Sequence, residues 1–305
     1  MDAKLETIGD NPVLRFERRL AHPVAKVWKA VSDPVEMRHW FPARLETELK
    51  IGAPIRFVFP EEAPVDEGGD GEILELDPPK VFAFRWNHDV LRFELVPDGD
   101  GCLLYFSQTL GGGALGRLGA GRNAAGWDHC LGSLAALLDR RAGEPFTEWL
   151  TAMEHYIERF GLGEGEVVRT ADGFDLRFAR DLVWKPAADM WHLLTVDGFS
   201  RTAEVPAGEV TRSAEPRLLE YAAEGGTVRW EITYDAALGA RVELTHTVPA
   251  ALADRVPELL AAWHTRIDQL FAAAHGEQRP IPPERHAQLA KFYADRMAPL
   301  KGSQT

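Results

Sequence analysis

Cysteine is nearly missing from this chain. Cys102 and Cys130 are the only two in 305 residues and form no CxxC pair, which excludes a disulfide scaffold, a zinc ribbon and a thioredoxin-like motif. Basic runs are missing too. The chain carries 34 Lys and Arg against 47 Asp and Glu, a formal net charge of −13, and no run of five basic residues. Such a chain repels phosphate backbones and anionic membrane surfaces, so neither nucleic acid nor membrane is expected as a partner. No apolar stretch is long enough to span a bilayer. The opening Met1-Asp2-Ala3-Lys4-Leu5-Glu6 has no apolar core of a secretory signal, so the expectation is a cytoplasmic protein with reduced thiols.

The common catalytic signatures are also absent. There is no GxxxxGK[ST], no HExxH and no GxSxG, and the ten histidines show no metal-ligand spacing. Neither a cofactor nor a metal is expected. Gly119-Ala120-Gly121-Arg122-Asn123-Ala124 fits a GxGxxA pattern, but no parallel strand leads into it. It reads as a flexible loop before a long helix, hinged to serve as a lid. The acidic run Glu61, Glu62, Asp66, Glu67, Asp70 lacks the alternation of a calcium loop and reads as a solvated loop.

The chain does hold an internal repeat. Leu14-Arg15-Phe16-Glu17-Arg18-Arg19-Leu20 returns as Leu176-Arg177-Phe178-Ala179-Arg180-Asp181-Leu182. Pro23 and Trp28 return as Pro186 and Trp191 at the same spacing, and Gly71 to Pro79 aligns without gaps on Gly208 to Pro216. Arg92-Phe93-Glu94-Leu95 aligns on Arg229-Trp230-Glu231-Ile232, and Trp127, Leu131, Leu134 on Trp263, Ile267, Leu270. Matches in one order point to duplication of a unit of roughly 140–160 residues, long enough to bury its own core.

Each unit reads as strand, short helices, a run of strands and one long helix. In the first, strands are predicted near 13–20, 54–59, 71–77, 80–86, 90–97 and 102–109, with helices from Pro23, from Pro34 to Trp40 and over 123–141. Connections this short cannot hold crossover helices, so the sheet is antiparallel. The second unit reads as short of one strand. The spacing of Phe146, Trp149, Leu150, Met153, Tyr156, Ile157 and Phe160 predicts a connecting helix, and that of Leu289, Phe292, Tyr293 and Met297 a tail helix over 284–298. The domains are expected at 1–143 and 163–276, with the connecting helix at 144–162 and the tail helix at 277–305. The expected fold class is α+β: two tandem domains, each a curved antiparallel sheet wrapped on a long C-terminal helix. The space between sheet and helix suits an apolar ligand.

This order, with Phe16-Glu17-Arg18-Arg19-Leu20, Val27-Trp28, Ser32-Asp33-Pro34, Trp40-Phe41, Gly71 to Pro79, Trp86 and Gly126-Trp127, resembles the SRPBCC (START-like, helix-grip) superfamily. It is most similar to the branch related to activators of the heat-shock-protein-90 ATPase. The resemblance implies a fold often used for lipids, polyketides and aromatic ligands. The second unit reads Phe199-Ser200 where the first has Trp40-Phe41, and is the diverged copy.

Ligand-lining candidates are Trp40, Phe82, Phe84, Trp86, Phe93, Phe106, Gln108, Trp127 and Leu131 in the first unit and His246 in the second. Trp28, Trp86 and Trp127 also suit packing, whereas Trp40, just after a short helix, is expected at the cavity rim. Gln108 and His246 are equivalent inward polar groups near the end of a last strand, satisfied either by an internal partner or by a ligand. His246 and His39 are the catalytic candidates. His264 reads as structural or surface.

Three functions compete. One is non-catalytic binding of an apolar or aromatic small molecule, mainly in the first domain. Another is a cyclase- or hydrolase-type enzyme. The third is a chaperone-cofactor role, discounted because the Asn/Trp-rich amino-terminal domain of the eukaryotic activators has no counterpart here. A protein partner would use the second domain or the tail helix.

Overall fold

Two antiparallel sheets and a set of helices make an α+β protein. The computed structural model describes residues 3–59, 69–235 and 238–301. Glu61, Glu62, Asp66 and Glu67 of the acidic run lie outside them. The chain divides between Phe160 and Gly161 into two units.

In the first unit β1 (Lys4–Ile8) and β2 (Asn11–Leu20) form a hairpin. Pro23, with its φ fixed near the helical value, leads into α1 (Val24–Ser32). Asp33 then caps α2 (Pro34–Met37), its carboxylate accepting from Val35 N at 2.9 Å. Strands β3 (Arg44–Glu46), β4 (Pro54–Val58), β5 (Asp70–Asp77), β6 (Val81–Trp86), β7 (Asp89–Asp98) and β8 (Gly101–Thr109) follow as a meander. The eight strands stand in the order β1-β2-β8-β7-β6-β5-β4-β3. β2 and β8 meet only because the sheet brings the ends of the unit together. The strand β8 shows the period-two pattern plainly, burying Cys102, Leu104, Phe106 and Gln108.

The glycine-rich stretch after β8 is helical, not a flexible loop. It forms α3 (Ala114–Leu118) and then α4 (Ala120–Leu138), which begins three residues before the expected start. Gly116 explains this: a Cβ there would stand 1.8 Å from Gly111 O, so only glycine lets α3 fold back on the strand exit. α4 buries Ala124, Trp127, Leu131, Leu134 and Leu138 as one stripe facing the sheet. α5 (Trp149–Arg159) packs on α4 and buries Leu150, Met153, Tyr156 and Ile157.

The second unit contains β9 (Glu166–Arg169), β10 (Gly173–Val183), α6 (Ala187–Thr195), β11 (Val210–Ala214), β12 (Leu218–Ala223), β13 (Gly226–Asp235) and β14 (Gly239–Pro249). Its six strands stand in the order β11-β12-β13-β14-β10-β9. Among the described residues that is two strands fewer than the first sheet rather than one. A 3-10 turn at Ala250–Arg255 leads into α7 (Val256–Ala274), which buries Trp263, Ile267 and Leu270. The tail helix α8 (Pro283–Lys301) docks on α7 of its own chain with Leu289, Tyr293 and Met297 buried. The Tyr293 hydroxyl fixes it, accepting from Gly165 N at 2.8 Å and meeting His264 Nδ1 at 2.7 Å. Among the described residues, no helix is long and apolar enough to cross a membrane.

Candidate functional site

Strand register builds the interior of the first unit row by row. Phe16, Phe106, Phe93 and Phe82 stand opposite one another across β2, β8, β7 and β6. The next row is Leu14, Gln108, Leu91 and Phe84, so Gln108 is the one polar side chain in it. From α4, Trp127 lies against Phe106 with ring centroids 4.6 Å apart. Phe41 bridges Trp127 at 5.5 Å and Phe84 at 6.0 Å. Trp86 stacks on Phe57 at 4.6 Å and also touches Phe41 and Phe59.

Nearly every expected lining residue lies in this aromatic interior. Phe82, Phe84, Phe93, Phe106, Trp127 and Leu131 are buried, and Trp86 is half-buried at its edge. Trp40 is not at a rim. It is 4% exposed, stands edge-on to Phe93 at 5.9 Å, and donates its indole N–H to Ala30 O at 2.9 Å. The turn after α2 carries it inward because the indole N–H finds an acceptor at the exit of α1.

The polar element is a relay. Trp127 Nε1 donates to Gln108 Oε1 at 2.7 Å, and Gln108 Nε2 donates to Asp89 Oδ2 at 2.6 Å. Asp89 Oδ1 accepts from Gly111 N at 2.8 Å. An indole is a donor only, so Gln108 must turn its oxygen to Trp127 and its NH₂ to Asp89. A Cβ on Gly111 would stand 2.4 Å from His88 Cβ, so glycine permits the approach that brings this N–H to Asp89. Burial raises the Asp89 carboxyl above its ordinary range, against the hydrogen bonds from Gly111 and Gln108 and the charges of Arg122 and His88.

The second unit has a buried Trp–polar pair of its own, with a histidine in place of glutamine. His246 stands between Leu176 and Val228 as Gln108 stands between Leu14 and Leu91. Trp263 Nε1 donates to His246 Nδ1 at 3.1 Å. The imidazole is therefore neutral with its proton on Nε2, and burial pushes its pKa down to about 4, Arg255 adding to the effect and Glu224 opposing it. Gln108 and His246 thus both have internal partners. His39 is exposed and accepts from Arg38 Nε at 3.2 Å. It belongs to the first unit and His246 to the second, so neither unit holds both. Among the described residues, no cluster of His, Cys, Asp and Glu suits a metal ion.

Asp89 escaped the sequence reading. It follows Asn87-His88 and reads there as a hairpin turn. Two open cavities, of about 520 and 510 Å³, lie in the second unit.

Residues 21–139 match the family model of the Activator of Hsp90 ATPase homolog 1-like proteins. The matched stretch runs from the entry of α1 to the end of α4 and so contains Asp89, Gln108 and Trp127. No curated protein matches the chain. Among solved structures, CalU16 from Micromonospora echinospora is 21% identical over 52% of this chain and 93% of its own, with a TM-score of 0.41. A conserved protein of unknown function from Enterococcus faecalis is 21% identical over 52% of this chain and 90% of its own, with a TM-score of 0.45. A protein from Mesorhizobium loti is 25% identical over 43% of this chain and 98% of its own, with a TM-score of 0.38.

Proposed function

We propose that the first unit binds an apolar, aromatic small molecule between its sheet and α4, without transforming it. The observation that carries this reading is an aromatic interior interrupted by one polar relay. Rings offer a ligand broad dispersion and edge-to-face contacts. The Asp89–Gln108–Trp127 relay offers one directional end, as small-molecule sites do. The rings now touch one another, so entry requires the outer ones to part. Trp86, half-buried beside the buried Phe41 and Phe57, is the ring that swings first.

The domain arrangement belongs to the same proposal. Residues 1–143 and 163–276 are tandem helix-grip copies, with α5 and α8 as appended helices. The shared register of Gln108 and His246 supports this. The second copy, with fewer strands and a different polar residue, is the diverged one.

The test is native mass spectrometry of freshly purified protein, then solvent extraction, with titration of anilinonaphthalene sulfonate as an independent probe. A stoichiometric aromatic adduct, or saturable probe uptake weakened in Trp86→Ala and in Gln108→Leu, is expected. No adduct together with probe uptake indifferent to both substitutions overturns the reading.

A further inference from the structure

One cavity of the second unit, about 520 Å³, is lined by Asp197, Gly198, Arg201, Thr202, Pro206 and Arg266 among others. It lies where the loop after α6 passes over α7. Two guanidiniums share it, in a chain whose net charge is −13. Among the described residues, neither Arg201 nor Arg266 has a carboxylate within ion-pair distance, although most arginines of this chain do. Arg266 Nε is buried with no hydrogen-bond partner. The Arg266 guanidinium lies over the Phe199 ring, 5.7 Å from its centroid, a favourable cation–π contact.

The acids nearby do not neutralise the pair. Asp197 faces His192 at 3.8 Å, and the exposed Glu204 acts on Arg266 only at longer range. Burial and the charge of Arg201 both weigh against the Arg266 cation. Two like charges kept in one cavity, one of them part-buried, raise the free energy of the empty site, and an anion relieves it. Thr202, on the same wall, accepts from Val205 N at 3.0 Å, which leaves its O–H free to donate. Gly198, at φ +77°, makes the turn beside the cavity in a backbone conformation that favours glycine.

We infer that this cavity binds the oxyanion group, a carboxylate or a phosphate monoester, of a small organic molecule between Arg201 and Arg266. The planar guanidinium fork matches either group with paired hydrogen bonds. The cavity is larger than an inorganic anion needs, so the anion is one end of a larger solute.

The experiment is isothermal titration of the full chain at low ionic strength with glycerol 3-phosphate and, separately, with succinate. Saturable uptake of one or both at one site is expected. Arg201→Gln and Arg266→Met should each weaken it about tenfold or more, the loss of a charge-assisted bond. Arg266→Lys keeps the charge but not the fork and should recover only part. Arg201 is exposed, so its substitution leaves the fold intact, and circular dichroism checks all three variants. No uptake of either probe up to roughly 10 mM overturns the inference, because paired guanidiniums would exceed that limit at low salt. Uptake that survives both substitutions overturns it too. So does binding confined to phosphatidic-acid vesicles, which would make the anion a lipid headgroup instead of a free solute.

Discussion

Gln108→Leu is the sharpest perturbation of the first unit, because it keeps volume and removes only polarity. The change leaves Trp127 N–H buried without an acceptor, at a cost of about 1–3 kcal/mol. It also removes the bond to Asp89, about 1.5–3 kcal/mol for a charge-assisted contact. Asp89 is half-exposed, keeps Gly111 N and regains water, so the lower end applies there. The sum is a loss of about 2.5–4.5 kcal/mol, or roughly 5–18 °C in the unfolding midpoint of a unit this size. The assay is thermal and urea unfolding of Gln108→Leu, Trp127→Phe and the double variant. Trp127→Phe keeps the ring contact with Phe106 and orphans Gln108 Oε1 instead. In the double variant neither partner is left unmatched, so its loss should fall about 1–2 kcal/mol short of the sum of the singles. Additivity within about 0.5 kcal/mol, or a single-variant loss below that figure, would refute the relay as a structural unit.

Other outcomes follow from the same reasoning. His246 has its folded pKa depressed from 6.5 to about 4, so the stability it contributes is full above pH 6.5 and lost as pH falls through 4. That loss is about 3 kcal/mol. His246→Gln keeps an acceptor for Trp263, so urea midpoints at pH 7 and pH 4.5 should differ less than in the parent. Asp89 has the opposite sign, since its folded pKa is raised. Its contribution is full below the ordinary carboxyl value of 3.8 and declines as pH rises through the folded value, so in Gln108→Leu, which loses a stabilising donor, the decline should extend to higher pH. Gly116→Ala places a Cβ against Gly111 O and should cost about 1–3 kcal/mol, with faster amide exchange at Gly111 as the local sign. Tyr293→Phe removes the hydroxyl shared by Gly165 and His264, and limited proteolysis should then cut α8 free sooner than in the parent.

Periodicity and punctuation revealed the ordered strands and long helices, because their burial follows a simple alternation or stripe. β1 carries no such signal: its residues are mostly exposed, and it exists through pairing with β2. β3 is three residues long and equally silent. The glycines between β8 and α4 suggested freedom, whereas Gly111 and Gly116 are there for close approach, which only the tertiary neighbours reveal. Gln108 and His246 were visible as inward polar positions. Asp89 was not, since its burial depends on Gly111 arriving from the far end of the hairpin. Arg201 and Arg266 lie more than sixty residues apart and carry no motif.

The strand order also governs how this protein is made. From β4 to β8 each strand pairs with its predecessor, so most of the first sheet can form as the chain emerges. β2 cannot join it: Leu20 pairs with Cys102 and Val13 with Thr109, partners about 80–95 residues downstream. Until β8 leaves the ribosome, the earliest-made hairpin waits with an open backbone edge, a template for the wrong partner. Any stalled or truncated product ending before Thr109 therefore exposes that edge permanently, and aggregation of such fragments is the hazard built into this connectivity.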